Sequence, residues 1–309
     1  MRYIRDIYAE AAAAQRPVIS FEFFTPKTDE GEENFFTRTM PGLAALRPDY
    51  CSVTYGAGGS TQDRTFSMVR RIQTHFGIPC MAHLTCVGSS REAIAGLLRE
   101  AQADGIQNIL ALRGDPPEGA TAFEPAPGGF RYASELVDVI REVGGFSIGV
   151  AGFPEGHLEA KDGREADWRR LQAKIERGAD FVLTQLFFDN EFFHRFRAHL
   201  TGQLGVTVPL VPGIIPILSA GQIRRFTALC GASIPDALGR RLEELAGDDA
   251  AAAAFGVEFA AAQGADLLRA GVPGLHFYTL NKVASTRAIL ERLGLAAAGA
   301  AGEAGAAGT

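Results

Sequence analysis

Val18-Ile19-Ser20-Phe21-Glu22-Phe23-Phe24 has the apolar, aromatic character of a β-strand with a carboxylate set into it. Successive strand side chains point to opposite faces. Ile19, Phe21 and Phe23 therefore share one side, and Ser20 and Glu22 the other. Such a carboxylate either sits at a strand edge, reaching water or an arginine, or performs a function. Burial makes its ionised form costly, so a raised pKa is expected. Whether other strands end in the same way separates the two readings.

Working outward, apolar or β-branched runs recur at 50–55, 79–85, 107–112, 146–152, 180–186, 208–213 and 274–279. Helical patterns lie near 31–46, 62–76, 90–104, 132–143, 164–178, 189–200, 219–230 and 249–270, with a last one at about 281–293. Eight strands, each followed by a helix, predict an α/β fold of the (β/α)8 TIM-barrel type in a single domain. A doubly wound sheet is the alternative. Residues 1–16 read as a short N-terminal helical extension, 17–294 as the barrel, and the Ala/Gly-rich stretch 295–309 as a disordered tail. Two connections exceed what a barrel needs, 113–131 and 214–273, the latter with room for two helices or more.

The 309 residues are 47% hydrophobic and 21% charged, which suits a soluble globular chain. A net charge of −6 gives no reason to expect nucleic acid or an anionic membrane as partner. Charges interrupt Met1-Arg2-Tyr3-Ile4-Arg5-Asp6, where a signal peptide would need an apolar core, so a cytoplasmic location is expected. Cys51, Cys80, Cys86 and Cys230 are too few and scattered for a disulfide framework. Cys80, His83 and Cys86 imitate a metal cluster, but positions 80 and 83 of a strand face opposite ways. Buried thiols are expected, with no metal.

In a barrel, active-site groups come from the C-terminal ends of the strands. Read in order, those ends carry Glu22, Thr54, His83, Arg113-Gly114-Asp115, Glu155 with His157, Gln185, Pro212-Gly213 and Tyr278. Solvent at strand ends explains some polarity. It does not explain amides, imidazoles and a glutamate still inside apolar runs. None of the four lysines (27, 161, 174, 282) falls within a predicted strand, which argues against a Schiff-base aldolase. Gly56-Ala57-Gly58-Gly59-Ser60-Thr61 has Thr61 in place of the third glycine of a dinucleotide fingerprint, so it is not read as one.

Ser20-Phe21-Glu22-Phe23-Phe24, Ser52-Val53-Thr54-Tyr55-Gly56-Ala57, His83-Leu84-Thr85-Cys86, Leu112-Arg113-Gly114-Asp115-Pro116-Pro117, Pro212-Gly213-Ile214 and His276-Phe277-Tyr278-Thr279-Leu280-Asn281 together resemble the bacterial 5,10-methylenetetrahydrofolate reductases. The resemblance covers residues 17 to 293, and it is the six motifs in order that make it specific. It implies a barrel that binds FAD at its C-terminal mouth. It further implies reduction of 5,10-methylenetetrahydrofolate to 5-methyltetrahydrofolate, with NADH or NADPH as donor, in a ping-pong hydride transfer through flavin N5. Glu22 would be the general acid that opens the methylene bridge, and Asp115 the carboxylate beside flavin and folate.

By the same resemblance Thr54, Tyr55, Ala57, His83, Arg113, Gly114, Asp115, Tyr132, Ala133, Phe153, His157, Ala160, Asp167, Arg170 and Lys174 would contact the flavin. Glu22, Thr54, Gln185, Gln222, Phe226 and Lys282 would contact substrate. Phe153 departs from a usual Tyr, Leu186 from a Phe and Lys282 from a frequent Arg. Arg170 and Ala173 replace an Asn and a basic residue, which bears on flavin binding. A homo-oligomer is expected. A flavin-free lyase or hydrolase using Glu22 with His83 or His157 is the competing reading.

Overall fold

In the computed structural model, residues 2–55, 62–114 and 123–296 are described. Ala57, Asp115 and the tail beyond Ala296 lie outside them. Among the described residues, nine strands form one sheet, all paired in parallel: β1 (Val18–Phe23), β2 (Tyr50–Val53), β3 (Cys80–Thr85), β4 (Asn108–Leu112), β5 (Ser147–Gly152), β6 (Phe181–Thr184), β7 (Leu210–Val211), β8 (Gly213–Ile214) and β9 (Gly274–Tyr278). Their order is β7-β6-β5-β4-β3-β2-β1-β9-β8. The two edges of that sheet are the halves of one strand broken at Pro212, so the ring is a nearly closed barrel and the predicted TIM-barrel class holds.

The break has a chemical cause. Pro212 has no N–H to give the ladder. β7 pairs with β6, β8 pairs with β9, and Thr184 mends the gap. Its Oγ1 accepts the Gly213 N–H at 3.0 Å, and its carbonyl accepts the Tyr278 hydroxyl at 2.6 Å. Any side chain at 213 would collide, since a Cβ there would lie 2.5 Å from the Thr184 carbonyl oxygen and 2.6 Å from the Tyr278 ring.

Helices surround the ring: α1 (Ile4–Ala13), α2 (Asp29–Asn34), α3 (Met40–Ala44), α4 (Gln62–Phe76), α5 (Arg91–Ala103), α6 (Ala133–Val143), α7 (Arg164–Glu176), α8 (Asn190–Ala198), α9 (Ala220–Cys230), α10 (Asp236–Glu244), α11 (Asp249–Arg269) and α12 (Val283–Arg292). The helix expected over 31–46 is interrupted by a π-helical turn at Phe35–Thr39, just before Pro41. The outward faces of the strands (Ile19, Phe21, Phe23, Cys51, Val53, Cys80, Ala82 among them) build the large core beneath the helices. Cys51, Cys80 and Cys86 are buried free thiols, as expected.

The N-terminal helix, α1, closes the bottom of the barrel. Ile4, Ile7, Tyr8 and Ala11 pack with inward-facing Tyr50, Met81, Leu110, Phe181, Leu183 and Val211 in a second, separate core. Its first turn has backbone N–H groups without helical partners. Asn108 Oδ1 accepts that of Ile4 at 2.8 Å, and Ser147 Oγ that of Arg5 at 3.1 Å. No helix of the described residues is long and apolar enough to cross a membrane.

Candidate active site at the barrel mouth

Parallel register assembles the site in two layers. Tyr50, Ser20 and His276 lie abreast on β2, β1 and β9; two residues further on, Ser52, Glu22 and Tyr278 do the same. All six face inward, because the intervening residues Phe21, Cys51 and Phe277 belong to the outer core. Glu22 is only 7% exposed. Three groups converge on its Oε2: His83 Nε2 at 3.2 Å, His276 Nε2 at 3.4 Å and Ser52 Oγ at 3.5 Å. The His83 contact lies off the line of a hydrogen bond. Among the described residues, no hydrogen bond reaches Oε1.

The backbone around Glu22 is fixed from β9. Thr279 Oγ1 donates to the Glu22 carbonyl at 2.7 Å. Asn281, held at φ +55°, brackets Phe24 with both ends of its amide, at 3.0 and 2.9 Å. On the other flank, Thr54 accepts the Thr25 N–H on Oγ1 and the Thr25 hydroxyl on its carbonyl.

This environment overturns the raised pKa expected for Glu22. Burial does push the carboxyl up, but the imidazoles of His83 and His276 outweigh it, and the pKa falls to about 2. Glu22 is thus a carboxylate at neutral pH. His276 was missed as a site residue. The period-two rule applied to Gly274-Leu275-His276-Phe277-Tyr278 would have found it, since Leu275 and Phe277 face outward.

A second group lies over β4 and β5. Arg113 makes two bonds to Glu159, at 2.5 and 2.8 Å, and its guanidinium covers the Phe123 ring at 5.1 Å. His157 meets the Phe153 ring edge-on at 4.7 Å, accepts the Glu159 N–H on Nδ1 and donates its own N–H to Asp167. Burial, with Arg113 nearby, lowers the His157 pKa. Ala160 closes this loop by donating its N–H to the His157 carbonyl. Gly114 sits at φ +88°, where a Cβ would press against Val87 at 2.5 Å. Lys174, from α7, donates to the Ala151 carbonyl at 2.9 Å, and burial lowers its pKa to about 8. Tyr55 is half-buried, and burial, with Asp63, raises its pKa to about 12.

Other expected residues stand apart from these two groups or are tied up locally. Tyr132 is 56% exposed ahead of Ala133, the first residue of α6. Arg170 pairs with Asp162, and Lys282 is exposed ahead of α12. Gln185 Oε1 accepts the neighbouring Leu186 N–H. Both ends of the Gln222 amide bond the 216–218 backbone, at 2.8 and 3.4 Å. Phe226 lies against a small apolar cluster of Leu186, Ile215, Ile217 and Ile223. Glu155 leaves the mouth cluster to bind Ser233, joining the loop after β5 to the turn between α9 and α10.

The class that fold and site define is a parallel α/β barrel with a carboxylate set between two imidazoles at its C-terminal mouth, the end where such barrels carry their active sites. The family is more specific. The methylenetetrahydrofolate reductase family profile matches residues 7–294, and the chain belongs to that family. It is 36% identical to the 5,10-methylenetetrahydrofolate reductase of Escherichia coli over 277 residues, 90% of each chain. It is 41% identical to a probable methylenetetrahydrofolate reductase (NADH) of Oryza sativa subsp. japonica over 305 residues. That match covers 96% of this chain but 51% of the rice protein, so the chain spans about half the length of its plant relatives. Among solved structures, an uncharacterized Clostridium thermocellum protein described as binding two copies of 5-methyl-5,6,7,8-tetrahydrofolic acid shares the fold. Its TM-score is 0.65 at 18% identity, over 93% of this chain and 97% of that one.

Proposed function

We propose that this chain reduces 5,10-methylenetetrahydrofolate to 5-methyltetrahydrofolate with NADH or NADPH as donor and FAD as cofactor. The observation that carries the reading is Glu22, a buried carboxylate between two imidazoles at the mouth of a barrel of this family. Bound FAD would accept hydride from the nicotinamide and pass it to the folate.

The chain's own residues suit that cofactor. Lys174 is a desolvated ammonium with one carbonyl partner and, among the described residues, no carboxylate in ion-pair contact. A phosphate would relieve that cost. Arg113, His157 and Asp167, with Thr54, Tyr55, Tyr132, Ala133, Phe153, Ala160 and Arg170, would complete the flavin contacts. Gln185, Gln222, Phe226 and Lys282 would meet the folate or nicotinamide.

Glu22 Oε1, which no described residue engages, is the atom left to meet the folate. Opening the methylene bridge needs a proton on the departing N10. Glu22 would deliver it from the cluster, and His83 and His276 would restore it. Anaerobic stopped-flow of the two half-reactions tests the reading. Bleaching of bound flavin by NADH or NADPH, then reoxidation by the folate, is expected. A purified protein that takes up no flavin and turns over no folate would overturn it.

A further inference from the structure

Behind the Glu22 carboxylate, the hydroxyl of Ser20 has two acceptors within reach, and they belong to consecutive residues of β9. His276 Nδ1 lies 2.8 Å from Ser20 Oγ, and the Leu275 carbonyl oxygen lies 3.4 Å from it. The far nitrogen of the same ring, His276 Nε2, lies 3.4 Å from Glu22 Oε2. Ser20 and His276 are both fully buried, so bulk water reaches neither. A buried polar group without a partner costs free energy, and the hydroxyl must therefore point according to what Nδ1 carries.

Two arrangements satisfy every member. When Nδ1 is bare, Ser20 donates to it, and the ring proton sits on Nε2, facing the carboxylate. When Nδ1 is protonated, it donates to Ser20 Oγ, and the hydroxyl turns to the Leu275 carbonyl. An imidazolium thus keeps both N–H groups paired, one with Glu22 and one with Ser20. From that state the Nε2–H bond breaks as an O–H bond forms on Glu22 Oε2. The ring is left as the neutral Nδ1–H tautomer, and Nε2 accepts from the new acid.

We propose that Ser20 is a positioning residue whose hydroxyl turns between His276 Nδ1 and the Leu275 carbonyl, and so lets a fully buried imidazole load the proton that Glu22 delivers. The kinetic consequence rests on the folate-reductase reading; the turning hydroxyl does not. Among the described residues, the titratable groups facing His276 come from three strands. They are Glu22 on β1, Tyr278 on β9 with its ring edge-on at 5.3 Å, and Tyr50 on β2 with its ring within 19° of parallel at 6.4 Å. His83, on β3, reaches the same Glu22 oxygen at 3.2 Å.

Ser20→Ala removes the hydroxyl. Ser20→Cys keeps nearly the same size with a weak acceptor, and decides alone if Ser20→Ala does not fold. In the full chain labelled with 15N-histidine, His276 is assigned by the resonances lost in His276→Gln. The neutral ring is expected to show the Nε2–H shift pattern in wild type and variants, because the Glu22 carboxylate holds that proton. An imidazolium in the variants leaves Nδ1–H buried without a good acceptor. The ratio of imidazolium to neutral ring at any one pH should therefore fall about tenfold. The folate half-reaction should slow about tenfold, its pH profile moved to lower pH, while flavin reduction by NADH is unchanged.

A merely structural role lowers the melting temperature and leaves the imidazolium ratio and the pH profile as in the wild type. That unchanged ratio overturns the inference whatever the activity, as does a wild-type ring whose neutral form is the Nδ1–H tautomer. A fallen ratio in a protein without folate activity upholds the turning hydroxyl and sinks the functional reading instead.

Discussion

The two ends of the barrel treat polar groups in opposite ways. At the bottom, Asn108 serves the α1 backbone twice, accepting from Ile4 and donating to the Arg2 carbonyl, while Ser147 accepts from Arg5. At the mouth, three groups crowd one oxygen of Glu22 at 3.2 to 3.5 Å, and Lys174 holds its charge against a single carbonyl. Saturated hydrogen bonds fix a structure; a loosely shared carboxylate leaves room for a ligand and a mobile proton. The bottom is therefore expected to govern stability, and the mouth chemistry.

Glu22→Gln should break this contrast most strongly from the mouth side. Folate reduction is expected to fall by about 10²- to 10⁴-fold while flavin reduction by the nicotinamide persists. Equal loss of both half-reactions in stopped-flow would remove Glu22 from the acid role. The same variant tests the electrostatics. Because the folded pKa, about 2, lies below the ordinary 4.5, the carboxylate stabilises the fold above about pH 4.5. That contribution is lost as the pH falls through about 2. Glu22→Gln should flatten acid unfolding over that window.

From the bottom side, Ile7→Ala removes a side chain that is 1% exposed within the α1 core. A loss of about 3 kcal/mol in denaturant unfolding is expected. The pH profile of the folate half-reaction should stay unchanged. A displaced profile would mean that the two ends are coupled.

How far each end was legible follows from the range of its interactions. The strands and the two faces of β1 were readable, because alternation is local: Ile19, Phe21 and Phe23 did enter the outer core, away from Ser20 and Glu22. The split of the 208–213 run was not, since Gly213 and Ile214 count as a strand only through pairing with His276 and Phe277. The π-turn at Phe35–Thr39 leaves no periodic signature in so short a stretch. The sign of the Glu22 shift was beyond reach for a related reason. Burial could be guessed from aromatic neighbours in the chain, but the compensating imidazoles come from β3 and β9, the latter 254 residues away.

Lys174→Met sharpens the comparison at smaller scale. With a folded pKa of about 8 against an ordinary 10.5, the ammonium is a cost below about pH 8. Stability should rise with pH between about 8 and 10.5. Lys174→Met should abolish that rise in the flavin-free protein and leave it no less stable at pH 7. Flavin affinity, followed by equilibrium dialysis, should drop about tenfold, some 1.4 kcal/mol. Unchanged affinity would exclude Lys174 from the phosphate site.

The smallest effect is expected at the rim. Glu159 holds Arg113 in two short bonds, yet its side chain is 54% exposed. An ion pair so open to water gains little, because solvent screens it and two long side chains must be ordered to make it. Glu159→Gln should change unfolding free energy by less than about 0.5 kcal/mol. If Arg113 serves an anionic cofactor, loosening its hold on Glu159 should tighten flavin binding by no more than about threefold, and raised salt should erase the gain. A large loss of stability would show that the rim is braced like the bottom, and the contrast between the two ends would then have to be redrawn around Glu22 alone.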